Sequence, residues 1–390
     1  MKVAFIGQKG IPAKLGGVER YTEEVALRMA KKGHEVFVYA RNNYTSPNIK
    51  EYKGVKIIHL PSISTKNLDA ISHTFLATVH AIFQDYDVIH YHSIGPTSLS
   101  FLIRIFKPKT ALVAIFQCQD YTHKKWGWMA KSYLKFSEFL TCEIPNATIA
   151  VTKILKDYVA KKYSREAILI PNGTEIKQVH DSNYLKKWNL QKGNYIVYIG
   201  RLIQHKGVHY LIKAFKNLED KHLTRGKKLV IVGDGFYTED YVKELKDLTR
   251  GRENIIFTGG LGGEELDQVF SHSYLFVQPS ESEGLSLALL EAMGHAKAIL
   301  ASDIKENKEP LDSQTALFFQ SRNVADLEEK LVYLINNPLL VKQIGEAALE
   351  KARKDYSWDT IVDQIENVYR NVLFQKKKIK FKAKINERNI

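Results

Sequence analysis

The sequence predicts an α/β protein made of two doubly wound parallel sheets, one following the other. Three observations carry that expectation. Short apolar, β-branched runs alternate with amphipathic helical patterns, the mark of parallel strands joined by crossover helices. The alternation runs through the first half and begins again near residue 194. Glycines and polar residues gather just past the runs, where strands of such sheets end and ligands bind.

The first series contains KVAFIG (2–7), HEVFVYA (34–40), VKIIHL (55–60), DVIHYH (87–92), TALVAIF (110–116), ATIAV (147–151) and AILIPNG (167–173). After the first run comes VERYTEEVALRMAKKG (18–33), a helical pattern that Gly33 closes as a C-cap. The second series contains NYIVYIG (194–200), KLVIVG (228–233), NIIFTG (254–259), YLFVQPS (274–280) and KAILASD (297–303). Two series imply two Rossmann-like domains, 1–180 and 181–356, with the boundary near 172–192. Helical patterns at 323–335, 338–353 and 357–375 follow, and residues 376–390 read as a separate basic tail.

A chain of 390 residues with 44% hydrophobic and 26% charged content is a globular composition with room for two cores. No run reaches the roughly 18 apolar residues a membrane span needs. The opening MKVAFIGQKG is too short in apolar residues for a signal peptide and reads as a strand. Cys118 and Cys142 are too few for a disulfide framework or a cysteine metal set, so a reducing, cytoplasmic setting is expected. The net charge of +14 is uneven. Residues 1–180 hold 25 basic and 14 acidic residues, 181–375 hold 25 and 28, and 376–390 hold 7 and 1. Such asymmetry points to an anionic partner for the first half and the tail, with nucleic acid and an anionic membrane both open at this level.

The densest chemistry lies at PSESEGLSLALLEAM (279–293), where Glu283 and Glu291 have seven residues between them. If those residues were helical, the two carboxylates would sit about 80° apart and about 12 Å along the axis, with Glu283 at the helix mouth. A helix mouth offers free N–H groups and a positive dipole end, which suit a phosphate. After the first strand of the second series, GRLIQHKGVHYL (200–211) brings Arg201 and Lys206 to another helix mouth, a plausible diphosphate clamp. After the first strand of the chain, Gly16 and Gly17 open a helix and let backbone approach a phosphate, although the spacing is not G-x-G-x-x-G. The Asp-x-Asp of Asp85 and Asp87 precedes a strand, on the side away from the binding edge, and is read as structural.

Taken in order, GG-x-E (Gly16, Gly17, Glu19), KGHEV (32–36), PNG (171–173), GRL-x4-KG (200–207), VGDG (232–235), the pair Glu283 and Glu291, EAM (291–293) and SW-x9-VY (357–369) resemble the retaining glycosyltransferases of family 4. The resemblance covers nearly all of 1–375, and IGQKGIPAKLGGVE also looks like the subgroup of bacterial rhamnosyl- and related cell-surface polysaccharide and lipopolysaccharide transferases. It implies the GT-B fold, with two Rossmann-like domains facing a cleft and a C-terminal helix crossing back to the first. It implies hexosyl transfer from a nucleotide-diphosphate sugar to a lipid-linked or glycan acceptor bound by the first domain. By resemblance Arg201 and Lys206 meet the donor diphosphate, Glu291 the ribose, and Glu283 the transferred sugar. Gly16, Gly17, Gly284, Leu285 and Ser286 complete the donor set. No metal and no cofactor is expected.

Two departures stand out. Family members often have EGFG where this chain has EGLS (283–286), which implies a modified sugar pocket. Relatives often carry a His after the strand matching TALVAIF, whereas Gln117 stands here, and Gln cannot act as a base. Asp120 is the nearby catalytic candidate, with Gln117 and His123 on the acceptor side. Two other functions compete. A sugar-nucleotide epimerase would share the donor site but needs internal acid–base carboxylates. A basic nucleic-acid binder would explain the charge but leaves the donor motifs idle and lacks a reading motif. The tail lysines Lys376, Lys377, Lys378, Lys380, Lys382 and Lys384, interleaved with Ile379 and Phe381, suggest reversible attachment to an anionic membrane at the inner face of the plasma membrane.

Overall fold

The computed structural model describes residues 1–14, 16–65, 68–119, 121, 127–235 and 238–388, with backbone alone from 379 onward. Asp120 and His123 therefore lie outside the described residues. The chain divides into two compact units, Met1–Asn172 with Trp358–Ile390, and Gly173–Ser357.

The first unit holds β1 (Lys2–Ile6), β2 (Glu35–Arg41), β3 (Glu51–Tyr52), β4 (Val55–Leu60), β5 (Val88–His92), β6 (Ala111–Phe116), β7 (Ala147–Ala150) and β8 (Ile168–Leu169). They form one sheet in the order β3-β4-β2-β1-β5-β6-β7-β8. Every pairing is parallel except that of β3 with β4. Strands β5 and β6 are buried along their whole length, because helices cover both faces of the sheet. The two-residue β3 was not foreseen; it is too short to show a period.

The helix Trp358–Arg388 belongs to this unit, although the whole second unit separates it in sequence from the strands it covers. Buried contacts hold it there. The Tyr369 hydroxyl and His90 Nδ1 share a hydrogen bond of 2.6 Å. Glu366 accepts from Lys32 Nζ at 3.1 Å and from Arg370 Nε at 2.9 Å, and His34 Nε2 lies 3.1 Å away.

The expected separate tail needs correction. The helix continues through residue 375 as far as Arg388. Lys and Ala are good helix formers, and no Gly or Pro interrupts 376–388. Lys376 is also anchored, its ammonium donating to the carbonyls of Pro108 at 2.8 Å and Thr110 at 2.7 Å. Burial pushes its pKa down to about 8.

The second unit holds β9 (Tyr195–Ile199), β10 (Lys228–Val232), β11 (Ile255–Gly259), β12 (Leu275–Gln278), β13 (Ala298–Ser302) and β14 (Leu317–Phe319). The sheet order is β11-β10-β9-β12-β13-β14, and all pairings are parallel. The three-residue edge strand β14 is the other one the sequence reading missed. Strand order reverses direction between β9 and β12, so the switch point of the sheet, where such folds bind ligands, lies at the carboxyl ends of these two strands. Beneath them lies a core of Ile196, Tyr198, Leu211, Phe215, Leu275 and Val277. Among the described residues, no helix is long and apolar enough to cross a membrane.

Candidate active site

The loop after β9 passes through Gly200 and Arg201, makes a short 3-10 turn at Gln204–Lys206, and enters the helix Val208–Asp220 at Gly207. Gly207 has φ 70°, and an added Cβ would stand 1.9 Å from the Pro279 carbonyl oxygen. Only glycine lets this loop approach the one leaving β12 so closely. The two are then joined, Glu281 N donating to His205 O at 2.7 Å.

The loop after β12 contains the paired-carboxylate motif, and here the helical expectation fails. The helix is Leu287–Gly294, and Ser286 is its N-cap, with Oγ accepting from Leu289 N at 3.3 Å. Glu283 therefore lies in the loop ahead of the cap, and its angular relation to Glu291 is not that of a helix. The hydroxyl at 286 decides this, since it satisfies an orphan N–H only when the helix starts after it. Glu291 is half-buried in the helix. Leu285 is buried, and Gly284 and Ser286 are partly exposed.

The structure brings Lys206 and Glu283 together. Lys206 Nζ donates to both carboxylate oxygens at 2.6 Å. Glu283 Oε1 also accepts from Ser280 Oγ at 2.6 Å and Gln278 Nε2 at 2.5 Å. The Glu283 side chain is 5% exposed and that of Lys206 15%. Burial pushes the carboxyl upward, but the Lys206 charge and the hydrogen bonds outweigh it and hold the pKa below the ordinary value. Glu283 is thus an ionised, saturated brace that fixes the ammonium. Arg201 is exposed at the end of β9, and its carbonyl accepts from the Tyr198 hydroxyl at 3.0 Å.

Neighbouring strand ends are laced to this loop. Gly233 follows β10 with φ 140°, and a Cβ there would stand 1.9 Å from Gly200 O. Asp234 O accepts from Leu202 N at 3.0 Å, and Asp234 Oδ2 accepts from Gly260 N at 2.6 Å. Glu281 accepts from the Tyr210 hydroxyl at 2.8 Å and pairs with Arg322 at 2.7 Å. Sequence reading named none of Gln278, Ser280, Glu281 and Asp234 as site residues. Their signal was a place at or within three residues of a strand's carboxyl end, with Asp234 inside VGDG and Ser280 and Glu281 inside the 279–293 stretch.

In the first unit, Gly16 has φ 107° and caps the helix Gly17–Lys31. Glu19 and Glu23 on that helix turn back to the loop after β1. Glu19 accepts from Lys9 N at 3.2 Å and Glu23 from Ala13 N at 2.5 Å. Past β6, Gln117 is half-buried, and its Oε1 has no hydrogen-bond partner among the described residues. The same segment is tied inward through Gln119 and Tyr121 (2.8 Å), then Tyr121 and Tyr158 (3.0 Å), to Glu138, which accepts from Tyr158 at 2.8 Å. Asp85 and Asp87 sit before β5, paired with Lys107 Nζ at 3.2 Å and Lys2 N at 2.8 Å.

Comparison with known proteins agrees with this architecture. The family model described as Glycosyltransferase Family 4 matches residues 15–178, and that of Glycosyl transferases group 1 matches residues 180–351. An uncharacterized glycosyltransferase of Methanocaldococcus jannaschii, MJ1178, is 26% identical over 368 residues, covering 91% of this chain and 94% of that protein. Sucrose-phosphate synthase from Thermosynechococcus elongatus superposes with TM-score 0.82 at 18% identity, over 96% of this chain and 99% of that one. Anabaena HepE, solved with UDP and glucose, superposes with TM-score 0.79 at 18% identity, over 95% of this chain and 100% of that one. With two parallel-sheet units, each matched by a transferase family model, the chain belongs to the GT-B glycosyltransferases.

Proposed function

We propose that the second unit binds a nucleoside-diphosphate sugar across the carboxyl ends of β9 and β12, and that the sugar passes with retention to a lipid-linked or polysaccharide acceptor. The observation that carries this is the Lys206 ammonium, fixed by a buried carboxylate at the topological switch point. Arg201 and Lys206 meet the diphosphate, and their charge counts most as the sugar leaves and negative charge builds on the phosphate. The N-terminus of Leu287–Gly294 adds its dipole, and Glu291 takes the ribose hydroxyls. Gly284, Leu285 and Ser286 border the sugar, with Glu283 holding Lys206 for the diphosphate. Gly16 and Gly17 belong to the donor set, Asp120 is the further catalytic candidate, and Gln117 and His123 serve the acceptor. Neither metal nor cofactor takes part. HepE, solved with UDP and glucose, supports the donor class.

The acceptor is placed at the inner face of the plasma membrane, in cell-surface glycan synthesis, with reversible attachment through the basic end of the C-terminal helix. Each Lys near an anionic surface gains about 1 kcal/mol. A chain ending at Lys376, which keeps the anchor on Pro108 and Thr110, should bind anionic vesicles more weakly than the full chain. Equal binding to anionic and neutral vesicles by both would remove the tail from the mechanism. The test of the activity is incubation with uridine, guanosine and thymidine diphosphate sugars, with and without a membrane-lipid extract, and detection of released nucleoside diphosphate. Release that vanishes in Arg201→Ala is expected. No release with any donor, with or without extract, would defeat the proposal. Proton NMR of the first product decides retention from inversion.

A further inference from the structure

The helix Trp128–Glu143 carries apolar side chains on both faces. Its inner side is pinned: Leu134, Ser137, Glu138, Thr141 and Cys142 are buried. Glu138 accepts from the hydroxyls of Tyr158 at 2.8 Å and Tyr163 at 2.6 Å and from Lys162 at 3.0 Å. The helix therefore cannot roll to hide its outer side. Yet that side presents Trp128, Met129, Tyr133, Phe136 and Phe139, with Trp128 76% and Phe136 57% exposed. At 100° per residue these five fall within an arc of about 140°. Contiguous exposed aromatics of this kind mark an interaction surface, not ordinary scatter.

Charge identifies the partner. Lys131 and Lys135 border the stripe, and Lys124 and Lys125 precede it in sequence. The two acids of the helix are both committed, Glu138 inward and Glu143 to Arg165 at 2.9 Å. A second copy would bring its own strongly basic first half against this one, so self-association is opposed by like charge. Trp and Tyr are the residues that settle at the headgroup level of a bilayer, and an apolar stripe with basic flanks is the pattern of a helix lying in that interface. We propose that the outer face of Trp128–Glu143 inserts into the headgroup region of an anionic bilayer. This deepens, and rests on, the reading that the acceptor is membrane-borne. Tyr133 on this helix shares a hydrogen bond with Ser98 Oγ at 2.7 Å and donates to Gly95 O at 3.2 Å, in the turns that leave the carboxyl end of β5, so such docking sets that edge of the first sheet beside the lipid surface.

The test compares the full chain with a Trp128→Ser, Phe136→Ser double variant on sedimentation with phosphatidylglycerol–phosphatidylcholine vesicles. Binding is expected to weaken by about tenfold or more in the double variant. Vesicles with brominated acyl chains should quench tryptophan fluorescence of the full chain and not of the variant. A chain ending at Lys376 should keep the stripe's share of binding and the quenching. Equal vesicle binding by variant and parent would overturn the proposal. So would a solution dimer of the parent that the double variant abolishes, since a second copy would then cover the stripe. Nucleoside diphosphate release from the donor, measured without lipid, should be the same for both proteins, because the stripe contains no donor-binding group. If neither protein cleaves any donor, the transferase reading fails, while the vesicle result still judges this surface.

Discussion

Lys206→Ala isolates the brace at the centre of the site. It leaves Glu283, 5% exposed, with hydrogen bonds from Ser280 and Gln278 but no positive charge. Removing one partner of a buried ion pair destabilises by about 3–5 kcal/mol. At a urea slope of about 2–3 kcal/mol per molar, the midpoint should fall by roughly 1–2.5 M. The pH dependence supplies a sharper signature. In the parent the Glu283 pKa is depressed, so its contribution is full above the ordinary carboxylate value and is lost as pH falls through the folded value. Without Lys206, burial dominates and raises the pKa, so folding is penalised at neutral pH and relieved as the carboxyl protonates. The stability gap between parent and variant should therefore be widest near pH 7.5 and narrower at pH 5. Urea denaturation at both values, read by hydrogen exchange in β9 and β12, reports on the second unit alone. A variant with an unchanged midpoint, or a gap that widens toward pH 5, would refute the reasoning.

Other substitutions separate charge, binding and shape. Arg201→Ala, at an exposed side chain, should lower kcat by about 10²-fold or more with no shift in denaturation midpoint; turnover within twofold of the parent rejects the clamp. Glu291→Gln should raise the donor KM and Glu283→Gln should lower kcat, and steady-state profiles that coincide would count against that division. Gly207→Ala forces a side chain onto φ 70° and onto Pro279 O, so a loss of about 1–3 kcal/mol is expected, and a thermal midpoint equal to the parent's contradicts it. Glu366, whose pKa is held at about 2 by Arg370, Lys32 and His34 against the pull of burial, ties the C-terminal helix to its unit. Glu366→Gln should loosen that helix to proteolysis at pH 6, and the difference should fade as acid titrates the parent toward pH 2.

The strands and the order of the two sheets could be read from the sequence because buried parallel strands are near-continuous apolar runs, and most of the runs end within a residue or two of the structural strands. The donor motifs could be located for the same reason: once β9 and β12 are recognised, the switch-point rule puts Arg201, Lys206 and the 279–293 segment at their carboxyl ends. The short β3 and β14 left no trace, since two or three residues define no period. The helix start at Leu287 turned on one serine, whose capping preference competes with the helix propensity of its neighbours. Tertiary structure alone decided that Glu283 pairs with Lys206. The two are 77 residues apart, and their meeting depends on Gly207 touching Pro279 and on Glu281 bonding to His205, contacts with no sequence period. The same holds for Lys376, which sequence assigns to a run of like charges and the fold assigns to the carbonyls of Pro108 and Thr110. Local pattern specifies which elements form, because propensity and burial act along the chain. Which charged groups become partners is set by the closure of long loops, and that information resides in the packed structure.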